Sequence, residues 1–103
     1  MTWSVQEDES MNVIITFEVK EEKLDSFKGI MSDVKSSLPQ VEGCQSVAVY
    51  HDLANSSVFT LVEAWDSREA HQRHIESVVQ SGDWDFIAAH LKQDPVSSYF
   101  RAF

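Results

Sequence analysis

The chain has 103 residues, 43% of them hydrophobic, with three Trp and six Phe, which is enough apolar surface for one core without disulfides or metal. Its formal net charge is −9, from 17 acidic and 8 basic residues, a sign that repels phosphate backbones and anionic lipid and so excludes nucleic acid and membrane as expected partners. The single cysteine, Cys44, allows no intramolecular disulfide; with no basic segment leading into an apolar run and no stretch near the ~18 residues of a membrane helix, the expected location is the cytoplasm.

Residues 1–10 (MTWSVQEDES) are polar and acidic around Trp3 and read as a flexible acidic arm preceding one domain over 11–103. Met11–Lys20 alternates. Met11, Val13, Ile15, Phe17 and Val19 share one face of a strand, and Asn12, Ile14, Thr16, Glu18 and Lys20 share the other. Leu24, Phe27, Met31, Val34 and Leu38 then recur at helical spacing, and Pro39 stops the helix. Gly29 inside it costs about 1 kcal/mol relative to alanine, so close packing against a sheet is the expected reason for it. A turn at Val41-Glu42-Gly43 opens a second strand from Cys44, and Ala54–Ser57 is the turn of a hairpin into a third, SVFTLVEAWD.

Asp66 is placed to cap the next helix, with Glu69 three residues on completing a capping box. That helix, from Ser67 to about Val79, carries Ala70, His71, His74, Ile75 and Val78 on its apolar side. Ser81–Trp84 breaks it. A second helical piece follows, with Trp84, Ile87, Ala88 and Leu91 on one side, and VSSYFRAF is a last strand. The order β-α-β-β-α-β predicts an α+β, ferredoxin-like fold with an antiparallel sheet covered by helices on one face.

The third strand is apolar on both faces, with Val58, Val62 and Ala64 opposite Phe59, Leu61 and Trp65. One helical layer covers one face only, so a two-fold homodimer packed sheet to sheet is the expected second cover.

Nothing in the chain has nucleotide-binding, metalloprotease or nucleophile-elbow spacing. His71 and His74 stand three apart, a chelating spacing without a convincing third ligand, so no metal is expected. His74, between Ala70 and Val78, is the first candidate for acid–base chemistry; a core or dimer-edge histidine satisfied by backbone is the competing reading. Glu63 lies in phase with Phe59, Leu61 and Trp65, and a carboxylate among aromatics is paired or has a raised pKa. It either bonds a basic group, a backbone amide or His74, or orients a catalytic imidazole. His90 stands off its helix's apolar stripe, at a pocket mouth or in solvent. His51 is expected at the surface, and Cys44 as a packed thiol.

Gly43-Cys44 at a strand start, Phe59-x-Leu61-x-Glu63-x-Trp65, and Ser67-x-Glu69-Ala70 leading to His74 together resemble the antibiotic biosynthesis monooxygenase family, over about residues 11–103. The resemblance implies a dimeric α+β barrel of two ferredoxin-like protomers. Family members include oxidases of anthrones, phenols and quinols that use O2 without flavin or metal, and others degrade heme. For this chain it implies a cofactor-independent monooxygenase acting on an electron-rich aromatic, with no cofactor and a pocket between helices and sheet. His74 and Glu63 would be catalytic. Phe59, Leu61, Trp65, His71, Trp84 and His90 would bind substrate. A non-catalytic ligand-binding dimer and a heme protein are the alternatives. Heme degradation is disfavoured because His74 stands where those relatives have tryptophan, Asn12 is displaced from their asparagine, and only His90 resembles their axial histidine.

Overall fold

A computed structural model describes residues 10–103. The expected acidic arm therefore lies outside the described residues except for Ser10, whose Oγ accepts a hydrogen bond from Gln45 Nε2. In chain order the elements are β1 (Met11–Glu18), α1 (Leu24–Ser37), β2 (Cys44–His51), β3 (Val58–Trp65), α2 (Arg68–Ser81), α3 (Asp83–Ala88) and β4 (Val96–Phe100), with single 3-10 turns before and after α1. The strands lie in the order β2-β3-β1-β4, every pair antiparallel. This is the split β-α-β arrangement expected from the element order, a ferredoxin-like α+β fold.

Alternation along β1 and β3 sets which residues meet the helices. Met11, Val13, Phe17, Phe59, Leu61, Glu63 and Trp65 are all buried on the inner face. One register row, Val47–Glu63–Val13–Tyr99, crosses all four strands, so Glu63 and Tyr99 lie on the same face with Val13 between them. The apolar interior divides into two clusters. One gathers Phe17, Phe27, Met31, Phe59, Leu61 and Leu91 under α1. The other gathers Met11, Val13, Leu38, Trp65 and Ala70 under the start of α2. Ile15, Val34 and Val47 touch both.

Three local expectations are corrected. Ser67, not Asp66, caps α2: its side chain accepts from Ala70 N at 3.1 Å, while Asp66 instead accepts from Gln45 Nε2 at 2.8 Å. Asp66 is one residue too early, because the cap position precedes the first helical residue, Arg68. Gly29 does not pack against the sheet. It is exposed, and a side chain there would meet nothing within 4 Å. Nor does α2 lie flat on the sheet: it buries only Ala70 and His71, while Ile75 stays 39% exposed. Its first turn is held where Gly43, at φ +90°, comes so close to Ala70 that a Cβ on the glycine would lie 2.6 Å from the alanine's. Beyond that anchor the helix stands off the sheet and leaves space beneath it.

Candidate functional site

The site is built on the inner face of β3. Residues two apart on a strand share a face about 6.6 Å apart, so Glu63 and Trp65 can bond side chain to side chain. Trp65 is fully buried and its indole N–H needs an acceptor. It donates to Glu63 Oε1 at 2.7 Å. Burial raises the Glu63 pKa above the ordinary carboxyl value, and the indole bond only partly offsets that.

The Ser67 cap and the Gly43–Ala70 contact fix the rotation of α2, and that rotation carries His71 inward. His71 Nδ1 lies 3.0 Å from the Tyr99 hydroxyl, a hydrogen bond that either atom can donate. Its Nε2 lies 3.9 Å from Glu63 Oε1, too far for a hydrogen bond. That nitrogen is buried with no hydrogen-bond partner among the described residues. Burial, reinforced by nearby His74, holds the His71 pKa down to about 4. With one pKa raised and the other lowered, Glu63 and His71 meet as an uncompensated polar pair and not as a salt bridge. Trp65 and Tyr99 both stand edge-on to the His71 ring, at 5.3 and 5.5 Å, and the Arg68 guanidinium lies 4.9 Å from the Tyr99 ring centre.

Under the raised part of α2 are two adjoining cavities. One, of about 250 Å³, includes Val34, Leu38, Leu61, Glu63 and His74 in its walls. The other, of about 310 Å³, includes His71, Ser97, Tyr99 and Pro95. Ile15, Phe17, Ile75, Val78 and Trp84 line both, so the two form one apolar trough between the helices and the sheet. His74 also borders a larger groove of about 540 Å³, with Arg73, Glu42 and Asp83, that adjoins the trough at Val41, Val78 and Asp83. Its ring lies 5.3 Å from that of Trp65 at 32°, and burial lowers its pKa, keeping the imidazole neutral at pH 7.

The residues singled out from sequence are distributed as follows. Leu61, Glu63, His74 and Trp84 line one part of the trough, and His71 and Trp84 the other. The expected direct bond between Glu63 and His74 is not the contact made: the indole of Trp65 bonds the carboxyl, and His71 is the imidazole beside it. Trp65 is core behind the trough, and Phe59 instead borders a shallow depression with Lys28 and Val49. His90 is only 3% exposed, so neither the pocket mouth nor the solvent holds it. Its Nδ1 donates to Phe86 O at 2.8 Å, which leaves Nε2 to accept from Ser26 Oγ at 2.9 Å. With both ring nitrogens engaged inside the core, neither is free to bind iron. His51 is exposed, as expected, and stacks on Phe59. Sequence reasoning missed Tyr99 as a site residue. Its phase with Val13 across the β1–β4 pairing was the signal that could have found it.

The fold and the trough together define a class, the small α+β proteins with a ferredoxin-like antiparallel sheet covered by helices. The sequence profile of the family described as antibiotic biosynthesis monooxygenase matches residues 10–95, and the chain belongs to that family. Among solved structures it is similar to a conserved protein from Methanosarcina mazei Go1, with a TM-score of 0.81 and 22% identity over 93% of this chain and 95% of that one. It is also similar to a protein described as an antibiotic biosynthesis monooxygenase, with a TM-score of 0.81 and 22% identity over 90% of this chain and 98% of that one. A third is Rv0793 from Mycobacterium tuberculosis, with a TM-score of 0.80 and 16% identity over 91% and 95%. At these identities the likeness is one of fold. No curated protein matches the chain.

Proposed function

We propose that this protein is a cofactor-independent monooxygenase that uses O2 to oxidise an electron-rich aromatic, such as an anthrone or quinol, held in the trough. The observation that carries the reading is a neutral imidazole, His74, bordering an apolar cavity that also contains a buried carboxyl group. Membership in a monooxygenase family agrees with it.

For an anthrone-like substrate the steps balance without an external reductant. His74 takes a proton from the activated CH2 group, and the apolar walls favour a delocalised carbanion over a localised charge. The carbanion passes one electron to O2, and the resulting radical and superoxide couple to form the C–O bond. The peroxide oxygen takes up the proton from His74. Loss of the second C–H proton forms the C=O bond, breaks O–O and releases water. One oxygen atom ends in the product and the other in water.

The second part of the proposal is that the working unit is a homodimer joined through the outer sheet face. Ile14, Ala48, Val62 and Ala64 are half-buried there, and Tyr50, Val96 and Phe100 are exposed. The heme alternative draws no support from His90, whose ring nitrogens are both bonded within the core.

Oxygen uptake with a panel of anthrones and quinols tests the reading. Wild type is expected to consume O2 with at least one of them, and His74→Ala to lose roughly 100-fold or more of that rate, the usual worth of a positioned base. No uptake above background with any member overturns it and leaves a ligand-binding domain.

A further inference from the structure

We propose that His71 Nε2 and Glu63 Oε1 together form an anchor for one hydroxyl group of a neutral aromatic ligand, with Tyr99 as the positioning residue that sets the form of the imidazole. The inference rests on the reading that the trough is the ligand site, and it adds which chemical group the ligand must present and where.

Three observations lead to it. Among the described residues, His71 Nε2 is a buried polar atom with no hydrogen-bond partner, in a residue that lines the trough. Leaving such an atom unpaired is costly, and most in native structures have a water, an ion or a ligand to meet. Glu63, 3.9 Å away, lines the adjoining part of the same trough and keeps acceptor capacity beyond its one bond from Trp65. An oxygen placed about 2.8 Å from each of two atoms so spaced makes ordinary hydrogen bonds to both. The walls are otherwise mostly aliphatic and aromatic, with Ile15, Phe17, Val78 and Trp84 common to both cavities.

The chemistry of the pair selects the ligand group. If the Tyr99 hydroxyl donates to Nδ1, Nε2 carries the proton and needs an acceptor. If Tyr99 accepts, Nε2 is a bare acceptor and needs a donor. A hydroxyl can meet Nε2 in either form, but it bridges to Glu63 Oε1 only when Nε2 carries the proton: it then accepts from Nε2 and donates its own proton to the carboxyl oxygen. A ligand carboxylate would face the buried Glu63 carboxyl group, and an ammonium would have to shed its hydration in an apolar trough. Burial keeps the imidazole neutral at pH 7, which suits a hydroxyl and not an anion.

The test compares 2-naphthol with naphthalene, the same ring system without the oxygen, by titrating protein labelled with 15N at histidine. In wild type, naphthol is expected to shift His71 Nε2 and naphthalene to leave it near its free position. In His71→Leu the ratio of naphthol to naphthalene affinity is expected to fall about tenfold, the loss of one net hydrogen bond. Tyr99→Phe is expected to shift the Nδ1/Nε2 tautomer balance in the free protein and to reduce the same ratio several-fold, which loss of packing alone would not do. The proposal is overturned if the ratio is unchanged in His71→Leu, if naphthol saturates the protein without moving Nε2, or if neither compound binds. Should His71→Leu fail to fold, the wild-type Nε2 shift decides. Naphthol recognition without any O2 uptake keeps the anchor and removes the oxygenase reading. Uptake without naphthol recognition does the reverse.

Discussion

The indole N–H of Trp65 is bonded to Glu63 Oε1 at 2.7 Å, two residues back along the same strand. This bond lets a carboxyl group and the largest fully buried side chain of the described residues share one face of β3. It also leaves His71 beside the carboxyl without a hydrogen bond to it. Two opposed titrations follow.

His71 titrates at about 4 in the folded protein, against an ordinary 6.5. Its depressed pKa contributes stability that is present above pH 6.5 and is lost as pH falls towards 4, at most about 3 kcal/mol. Glu63 acts in the other direction. Its raised pKa contributes stability that is present below the ordinary 4.5 and is lost as pH rises through the folded value. The two partly cancel between 4.5 and 6.5. Urea unfolding midpoints across this range should fall more steeply towards acid in Glu63→Gln than in wild type, and more shallowly in His71→Gln. Identical slopes in all three would contradict the assignment.

Gly29 and Gly43 should respond in opposite directions to alanine. Gly29 is exposed in the middle of α1 with open space around it, so Gly29→Ala should stabilise by about 0.5–1 kcal/mol. Gly43 combines a left-handed backbone with a 2.6 Å approach to Ala70. Gly43→Ala should destabilise by roughly 2 kcal/mol or more and shift the His71 ring signals, because α2 must move. Thermal melts and NMR read both outcomes.

Ser67→Ala should cost about 1 kcal/mol through loss of the α2 cap. Asp66→Ala removes only an exposed bond to Gln45 and should cost well under that. Equal losses for the two variants would return the cap to Asp66.

The proposed homodimer predicts that sedimentation at micromolar concentration gives a two-chain particle, and that Val62→Lys on the outer face of β3 gives single chains. Wild type sedimenting as single chains removes the sheet-to-sheet interface.

The alternation of β1, the phase of Glu63 with Phe59, Leu61 and Trp65 on β3, the 3-4 stripe of α1 and the order of elements were all legible in the sequence, because each is a local pattern. They were sufficient for the ferredoxin-like fold and for placing Glu63 on the inner face. The sequence put His74 ahead of His71 for acid–base chemistry but could not show what either ring meets. Three residues along a helix differ by only about 60° around its axis, and both histidines fit the apolar side. The tertiary structure decided which of them stands beside Glu63, namely His71, through the helix's rotation, set where Ala70 meets Gly43, 27 positions earlier. In the same way His90 is buried because Ser26, 64 residues away, meets its ring, and the open trough exists because α2 is fastened only at its first turn. The sequence determined which elements form and which way their faces point, since those follow from neighbours along the chain. How a helix is rolled and how far it stands off the sheet depend on contacts between distant residues, and only the folded protein contains those.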